Sequence, residues 1–407
     1  MKILIVHQYF NTPESGGPLR SYYLAHGMKS NGYEVEVITS HNQKTSLDEE
    51  IQGIKVHYLP VYYDNSLRFL PRIIAFIKFA RLAYQKALLI KGVDLCYAIS
   101  TPLTVGWVAG KLKATQGIPY IFEVGDLWPE APIQMGVIKS PWIIGKIKRF
   151  EKSIYEGADR VVALSPGIKE SILKTTPNCQ VSIIPNMSDC QFFQMETKDS
   201  QLERRFGVKD KMVITYFGAA GRANHLEYLL EAARHAQNTS NILHFLVVAQ
   251  GSELKRIKKL AAQYKLNNLD FLPYGNRGQL KELLNVTDAV YVSYADVPVL
   301  ATGSPNKYFD GLAAGKLMLI NFKGWLKNIT ESHELGFYVD PTRPEVVSEL
   351  MGPIALNRAN LLKSQKKARA IAETFFSREL AVQKLLKSID NEHQMVVKGF
   401  EVYTLTA

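Results

Sequence analysis

The segment Thr302–Lys316, TGSPNKYFDGLAAGK, concentrates groups able to hold an anion. A Gly-Ser-Pro-Asn turn (Gly303, Ser304, Pro305, Asn306) leads into a helical run that stops at Gly315. Backbone N–H groups at a helix start lack internal partners and carry the positive end of the helix dipole, so phosphate binds there. Lys307 adds a cation, and Asp310, one turn in, can receive ribose hydroxyls. A well-capped helix with an acidic first turn would also explain Ser304 and Asp310. It explains Lys307 and the two framing glycines less readily.

Three further stretches carry chemistry. YFGAAGRANHLEYLLEA places Gly218, Gly221 and Arg222 between a strand and a helix, where an arginine can meet a diphosphate through charge-assisted hydrogen bonds. Near the N-terminus, Glu14-Ser-Gly-Gly-Pro18 follows the first strand, and Gly16 and Gly17 let backbone N–H groups approach a phosphate. Its spacing is not GxGxxG, which counts against a nicotinamide site. FEVGDLWPEAP sets Glu123, Asp126 and Glu130 beside Trp128 at a strand end, where carboxylates orient hydroxyls or exchange protons. Each of these stretches can also be read as an ordinary turn or a solvated loop.

The elements that must position these groups repeat. Short β-branched runs alternate with helical patterns: Ile3–Val6, Val35–Thr39, Ile54–Leu59, Leu95–Ile99, Tyr120–Phe122, Val161–Leu164 and Val181–Ile184. The pattern restarts with Val213–Phe217, Phe245–Ala249, Leu269–Leu272, Val290–Val292 and Leu317–Ile320. Strands alternating with helices predict βαβ units and parallel sheets, hence an α/β protein of two Rossmann-like halves. The seam is IPNMSDCQFF, Ile184–Phe193. The predicted domains are residues 1–188 and 189–363, with a C-terminal helix over 364–395 that packs back on the first domain.

Composition sets bounds. The 407 residues are 46% hydrophobic and 21% charged, a globular balance. The net charge of +11 favours an anionic partner, and the absence of zinc-finger spacing or an arginine-rich tail argues against nucleic acid. Three cysteines (Cys96, Cys179, Cys190) match no disulfide or zinc framework, and no apolar run reaches the ~18 residues of a spanning helix. The expectation is a cytoplasmic protein. Ser66–Lys91 mixes apolar residues with Arg68, Arg72, Lys78, Arg81, Lys86 and Lys91, a pattern that suits an anionic membrane surface or, equally, a crossover helix packed on the sheet. Lys139–Lys152 adds five basic residues and a tryptophan, which tilts the expectation towards a peripheral place at the inner face of the cytoplasmic membrane.

With these residues in view, the chain resembles the retaining family-four glycosyltransferases, most of all the bacterial surface-polysaccharide branch that includes fucosamine transferases. The likeness runs from Met1 to about residue 390. It rests on Gly16-Gly17-Pro18 with Arg20, Asp126-Leu127-Trp128-Pro129, Ile184-Pro185-Asn186, Gly221-Arg222-Ala223, and Ser304-Pro305-Asn306-Lys307 with Ala313-Ala314-Gly315. It implies a GT-B fold, two facing Rossmann-like domains with the donor in the cleft between them. It also implies transfer of a sugar, with retention, from a nucleoside diphosphate, uridine by family weight, to an acceptor such as a lipid-linked saccharide.

By the same resemblance Gly16, Gly17, Arg222 and Ser304–Lys307 hold donor phosphate, and Tyr274-Gly275 flank the base. Asp310 takes the ribose, and Arg20, Glu123 and Trp128 meet the acceptor. Asp126, Arg222 and Lys307 carry the chemistry. Thr302 stands where the family has the first acid of its paired-acid motif, Gly125 where many relatives have histidine, and Asn224 or His225 near the place of a lysine. No metal is expected, since Asp-x-Asp is absent and Arg222, Lys307 and helix N-termini can stabilise the leaving group. The rival readings are a nucleotide-sugar epimerase of the same shape and a non-catalytic, membrane-associated binding partner.

Overall fold

The computed structural model describes residues 1–64 and 67–390, so Ser66 and the expected helix end over 391–395 lie outside the described residues. The chain divides into two compact units. The first takes Met1–Pro185 together with the segment from Glu379, and the second takes Asn186–Arg378.

The first unit runs β1 (Lys2–Val6), α1 (Arg20–Ser30), β2 (Glu34–His41), β3 (Leu47–Ile51), β4 (Ile54–Pro60), α2 (Phe69–Ala87), β5 (Leu95–Ile99), α3 (Thr104–Gln116), β6 (Tyr120–Val124), α4 (Glu130–Gln134), α5 (Pro141–Gly157), β7 (Arg160–Ala163), α6 (Pro166–Thr175) and β8 (Val181–Ile183). Its sheet order is β3-β4-β2-β1-β5-β6-β7-β8. Every pairing is parallel except β3 with β4. β5, β6 and β7 are buried along their whole length, as strands covered on both faces must be.

β3, like the short β14 (Gly336–Tyr338) of the second unit, is a strand that hydrophobic patterning does not announce. Its sequence LDEEI is almost wholly exposed, and its acids blunt the edge of the sheet. It exists because Gln52 and Gly53 both take positive φ (50° and 78°), the geometry of a two-residue hairpin turn.

The second unit runs α7 (Ser200–Arg205), β9 (Met212–Ala219), α8 (Glu227–Thr239), β10 (Leu243–Gln250), α9 (Leu254–Gln263), β11 (Leu269–Leu272), α10 (Arg277–Val286), β12 (Ala289–Val292), α11 (Asn306–Ala313), β13 (Leu317–Ile320), α12 (Trp325–Ser332), β14 (Gly336–Tyr338), α13 (Val346–Leu356) and α14 (Arg358–Phe375). Its all-parallel sheet has the order β11-β10-β9-β12-β13-β14. Order reverses at β9, the switch point outside whose carboxyl end such sheets bind ligands.

The terminal helix expected over 364–395 is two helices. α14 belongs to the second unit, and α15 (Arg378–Ile389) turns to the first. The break has a long-range cause: the Ser188 amide donates to the Phe376 carbonyl at 2.7 Å, and Ser377 bridges to Ser188. α15 then packs Val382 against Gly27 of α1, where no side chain would fit.

Within the second unit, buried Asp288 accepts from Lys198, Arg358 and the Val213 amide, tying α14 to the start of β9. Asp288→Ala should therefore cost about 3 kcal/mol or more, because it strands a cation and an amide. Chemical denaturation should show the loss; an unchanged midpoint would mean the cluster contributes little.

Candidate functional site

In the second unit the residues singled out gather at the carboxyl ends of the strands. β9 ends at Ala219, one residue after Gly218, whose φ is 126°. Lys307 lies across it: a Cβ on Gly218 would stand 3.3 Å from the lysine Cε and 3.5 Å from Nζ. The ammonium sits 3.8 Å from the centre of the Tyr216 ring. Lys307 is buried, has no carboxylate partner among the described residues, and is pulled down to about 7 by that burial. A ring face offsets part of the loss of hydration, but far less than a carboxylate would.

The loop before α11 is rigid. Ser304 is buried; its hydroxyl accepts from the Asn186 amide at 3.1 Å, and the Asn186 side chain donates to its carbonyl. The Trp325 indole donates to Gly303 O at 2.9 Å. Pro305 holds extended backbone (φ −71°, ψ 131°) and starts the helix at Asn306 without spending an N–H. Asp310 is half-buried. Burial pushes its carboxyl up to about 7; Arg277 pulls it down and Asp189 pushes it up. Arg277 itself pairs with Asp189 and stacks 3.9 Å from the Phe192 ring centre. Sequence reasoning missed that cluster, although Asn276-Arg277-Gly278-Gln279, which closes a capping box on α10, marks the place.

Arg222 tops a braced turn. Ala220 N donates to Gln250 O at 2.7 Å, and Asn224 N to Gly221 O at 3.0 Å. The Arg222 side chain is exposed and makes no hydrogen bond or ion pair among the described residues. Tyr274, 48% exposed, follows β11. Gly275 beside it has no room for a side chain, since a Cβ would lie 2.3 Å from Gln279 Oε1.

In the first unit, Gly16 and Gly17 take φ 72° and 85°, a conformation that suits glycine. The turn is closed by Gly16 N to Thr12 O at 3.0 Å. Asp126 stands exposed after β6, yet enough protein crowds it that desolvation raises its carboxyl above the usual range. Half-buried Trp128 meets Phe76 edge-on at 6.1 Å. Buried Leu127 anchors the loop between them.

Arg20 and Glu123 correct the sequence reading. The guanidinium grips both oxygens of Glu123 at 2.8 Å, donates to the carbonyls of Ile184 and Pro185, and both residues are buried. The Tyr97 hydroxyl donates to the same carboxylate. A carboxylate so engaged has little left for an acceptor. The pair fastens α1 and β6 to the end of the first unit instead. Glu130 pairs with Lys148 at 2.9 Å and ties α4 to α5.

Two family matches divide the chain as its two units do. Residues 15–187 match "Glycosyl transferase 4-like domain" and residues 198–373 match "Glycosyl transferases group 1". The chain has the GT-B fold, and each of its two units matches a glycosyltransferase family. It is similar to the probable glycosyltransferase WbjE of Pseudomonas aeruginosa, 24% identical over 60% of this chain and 61% of that one. It is also similar to the putative colanic acid biosynthesis glycosyl transferase WcaI of Escherichia coli, 28% identical over 68% and 69%. The chain thus spans somewhat under two thirds of WbjE. Among solved structures it shares its fold with Anabaena Alr3699/HepE in complex with UDP and glucose, at TM-score 0.68 and 17% identity, over 96% of this chain and 100% of that one.

The charges of this GT-B chain fall into two groups, one saturated by the protein and one not. Glu123→Ala should lower stability by about 3–5 kcal/mol, because it leaves Arg20 buried without its partner. Arg222→Ala should stay within about 0.5 kcal/mol of the parent. Parallel thermal melts test this; equal losses would erase the distinction.

Proposed function

We propose that this protein transfers a sugar from a nucleoside diphosphate, most simply UDP, to an acceptor hydroxyl with retention at the anomeric carbon, in the assembly of a surface polysaccharide. The observation that carries the reading is Lys307, a buried amine with no protein anion beside it among the described residues, at the strand end where α11 begins. A diphosphate supplies the missing negative charge. HepE was solved with UDP, and WcaI is named for a polysaccharide pathway, which support the donor and the setting.

The reaction breaks the anomeric C–O bond to the diphosphate and forms one to the acceptor oxygen. Negative charge grows on the leaving oxygens, and Lys307, Arg222 and the N-terminus of α11 stabilise it in place. The leaving phosphate takes the acceptor proton on the same face of the sugar, so no protein nucleophile and no metal is used. Asp310 receives the ribose, Tyr274 the base, and Asp126 orients the acceptor hydroxyl.

The acceptor in this reading is lipid-linked, and the enzyme sits at the inner face of an anionic membrane. No helix among the described residues is long and apolar enough to cross one. α2 instead exposes Leu70, Ile74 and Ile77, and α5 exposes Ile143 and Trp142, the latter with Lys146 3.6 Å from its ring centre. Exposed apolar residues among cations suit an interfacial helix. Arg72, half-buried, is not part of that outer face. Arg81→Glu with Lys146→Glu and Trp142→Ala should abolish co-sedimentation with phosphatidylglycerol vesicles, at about 1 kcal/mol per cation removed. Sedimentation equal to the parent would refute peripheral attachment through these helices.

Donor binding has a pH signature. In the free protein Lys307 is largely neutral above about pH 7, and a bound diphosphate favours its charged form. Binding then takes up a proton, and affinity for UDP should fall by up to about tenfold per pH unit above pH 7. Burial raises Asp310 to about 7 as well, so it ionises over the same range, and the share of the slope that belongs to Lys307 is the part that Lys307→Met removes. Calorimetry in buffers of different ionisation enthalpy should show the uptake, and Lys307→Met should remove it. UDP binding without proton uptake would displace Lys307 from the donor site. Absence of binding by any nucleoside diphosphate would favour the non-catalytic partner.

A further inference from the structure

An aromatic cluster in the first unit is unused by the donor chemistry. Tyr9, just beyond β1, lies 4.8 Å from Tyr63, which follows β4. Tyr63 stacks on Phe76 of α2 at 5.8 Å and 21°, and Phe76 meets Trp128 beside Asp126. Four rings from four stretches of chain thus touch in sequence. The guanidinium of Arg72, one helical turn before Phe76, stands 5.8 Å from the Tyr63 ring centre, and its Nη2 donates to Leu67 O at 3.3 Å. Asn42 pins the segment by exchanging two hydrogen bonds with the Tyr63 backbone, at 2.9 and 3.1 Å. Tyr63 and Trp128 are only half-buried, whereas the Tyr9 hydroxyl is buried.

Core packing alone does not account for this arrangement. An apolar core has no use for an arginine, and a partly open tyrosine and tryptophan present flat faces beside polar edges. The order of chemistry along α2 is also informative. Its outer side shows bare Leu70, Ile74 and Ile77, its inner side sets Arg72 against Tyr63, and the rings then lead by way of Trp128 to Asp126. A lipid-linked saccharide has that same order: apolar tail, phosphate, sugar, reacting hydroxyl.

Resting on the transferase reading above, we propose that Arg72, Tyr63 and Trp128 form the acceptor subsite. Arg72 binds the phosphate of an isoprenoid diphosphate, and Tyr63 and Trp128 stack on the first sugar. Guanidinium groups suit phosphate by their forked geometry, so lysine is only a partial substitute.

The test uses the full chain in non-ionic detergent. Calorimetry compares a polyprenyl diphosphate carrying N-acetylglucosamine, the same polyprenyl diphosphate without sugar, and phosphatidylglycerol. Arg72→Gln should weaken both diphosphate probes about tenfold, and Arg72→Lys should recover part of the loss. Trp128→Ala should weaken only the probe that carries the sugar. Retained stabilisation by UDP checks that the variants fold. Equal affinity of the parent and Arg72→Gln, no binding of either diphosphate probe, or phosphatidylglycerol bound as tightly as they are, would each overturn the subsite. Should UDP fail to stabilise the parent while Arg72→Gln still loses the lipid probes, the transferase reading falls and the subsite stands.

Discussion

Lys307 is buried against the face of Tyr216, with no carboxylate beside it among the described residues. Holding a cation in that state is costly, and its lowered proton affinity shows the strain. Much of the second unit's sequence makes sense as what keeps it there. Gly218 holds a φ of 126°, which suits glycine, and a Cβ there would press on the lysine Cε at 3.3 Å. Ser304 and Asn186 lock the turn before α11, and Trp325 clamps Gly303 from below. The helix that carries Lys307 is buried through Tyr308, Phe309 and Leu312, so it cannot roll to bring the ammonium to water.

The same contrast sorts the other charges. Asp288, Asp189 and Glu123 are buried carboxylates, each met by two or more donors. They are joints, and their loss is a loss of stability. Arg222 and Asp126 stand exposed on braced loops without a protein partner among the described residues. Their charge is available to something else. In a folded chain unmatched charge on rigid backbone is the better pointer to function, since mobile surface charge is screened and contributes little.

The parallel sheets were legible in the sequence because buried strands read as continuous β-branched runs and the turns between them are marked by glycine and proline. The glycine-bearing loops at the strand ends were legible for a related reason: glycine at a strand end marks positive φ or close backbone approach, which is a local constraint. What escaped is what depends on distant residues. β3 looks polar because it is an edge. The helix expected over 364–395 breaks where Ser188, nearly two hundred residues earlier, donates to the Phe376 carbonyl. Arg20 and Glu123 carry the residue types of a site, and only their mutual saturation shows that they are structure.

Asp310 marks where the two kinds of information meet. Its type and position on α11 suggest a ribose ligand, but its ionisation is set first by burial, which raises it, and then by Arg277 and Asp189, which no spacing rule connects to it. Arg277 is shared: it pairs with Asp189, stacks on Phe192 and pulls Asp310 towards its charged form. Removing Asp189's charge would free Arg277 for Asp310 and leave a more acidic carboxyl. The residue that tunes the ribose ligand is therefore one whose first task is to brace the start of the second unit. Binding chemistry at this site cannot be altered independently of that joint.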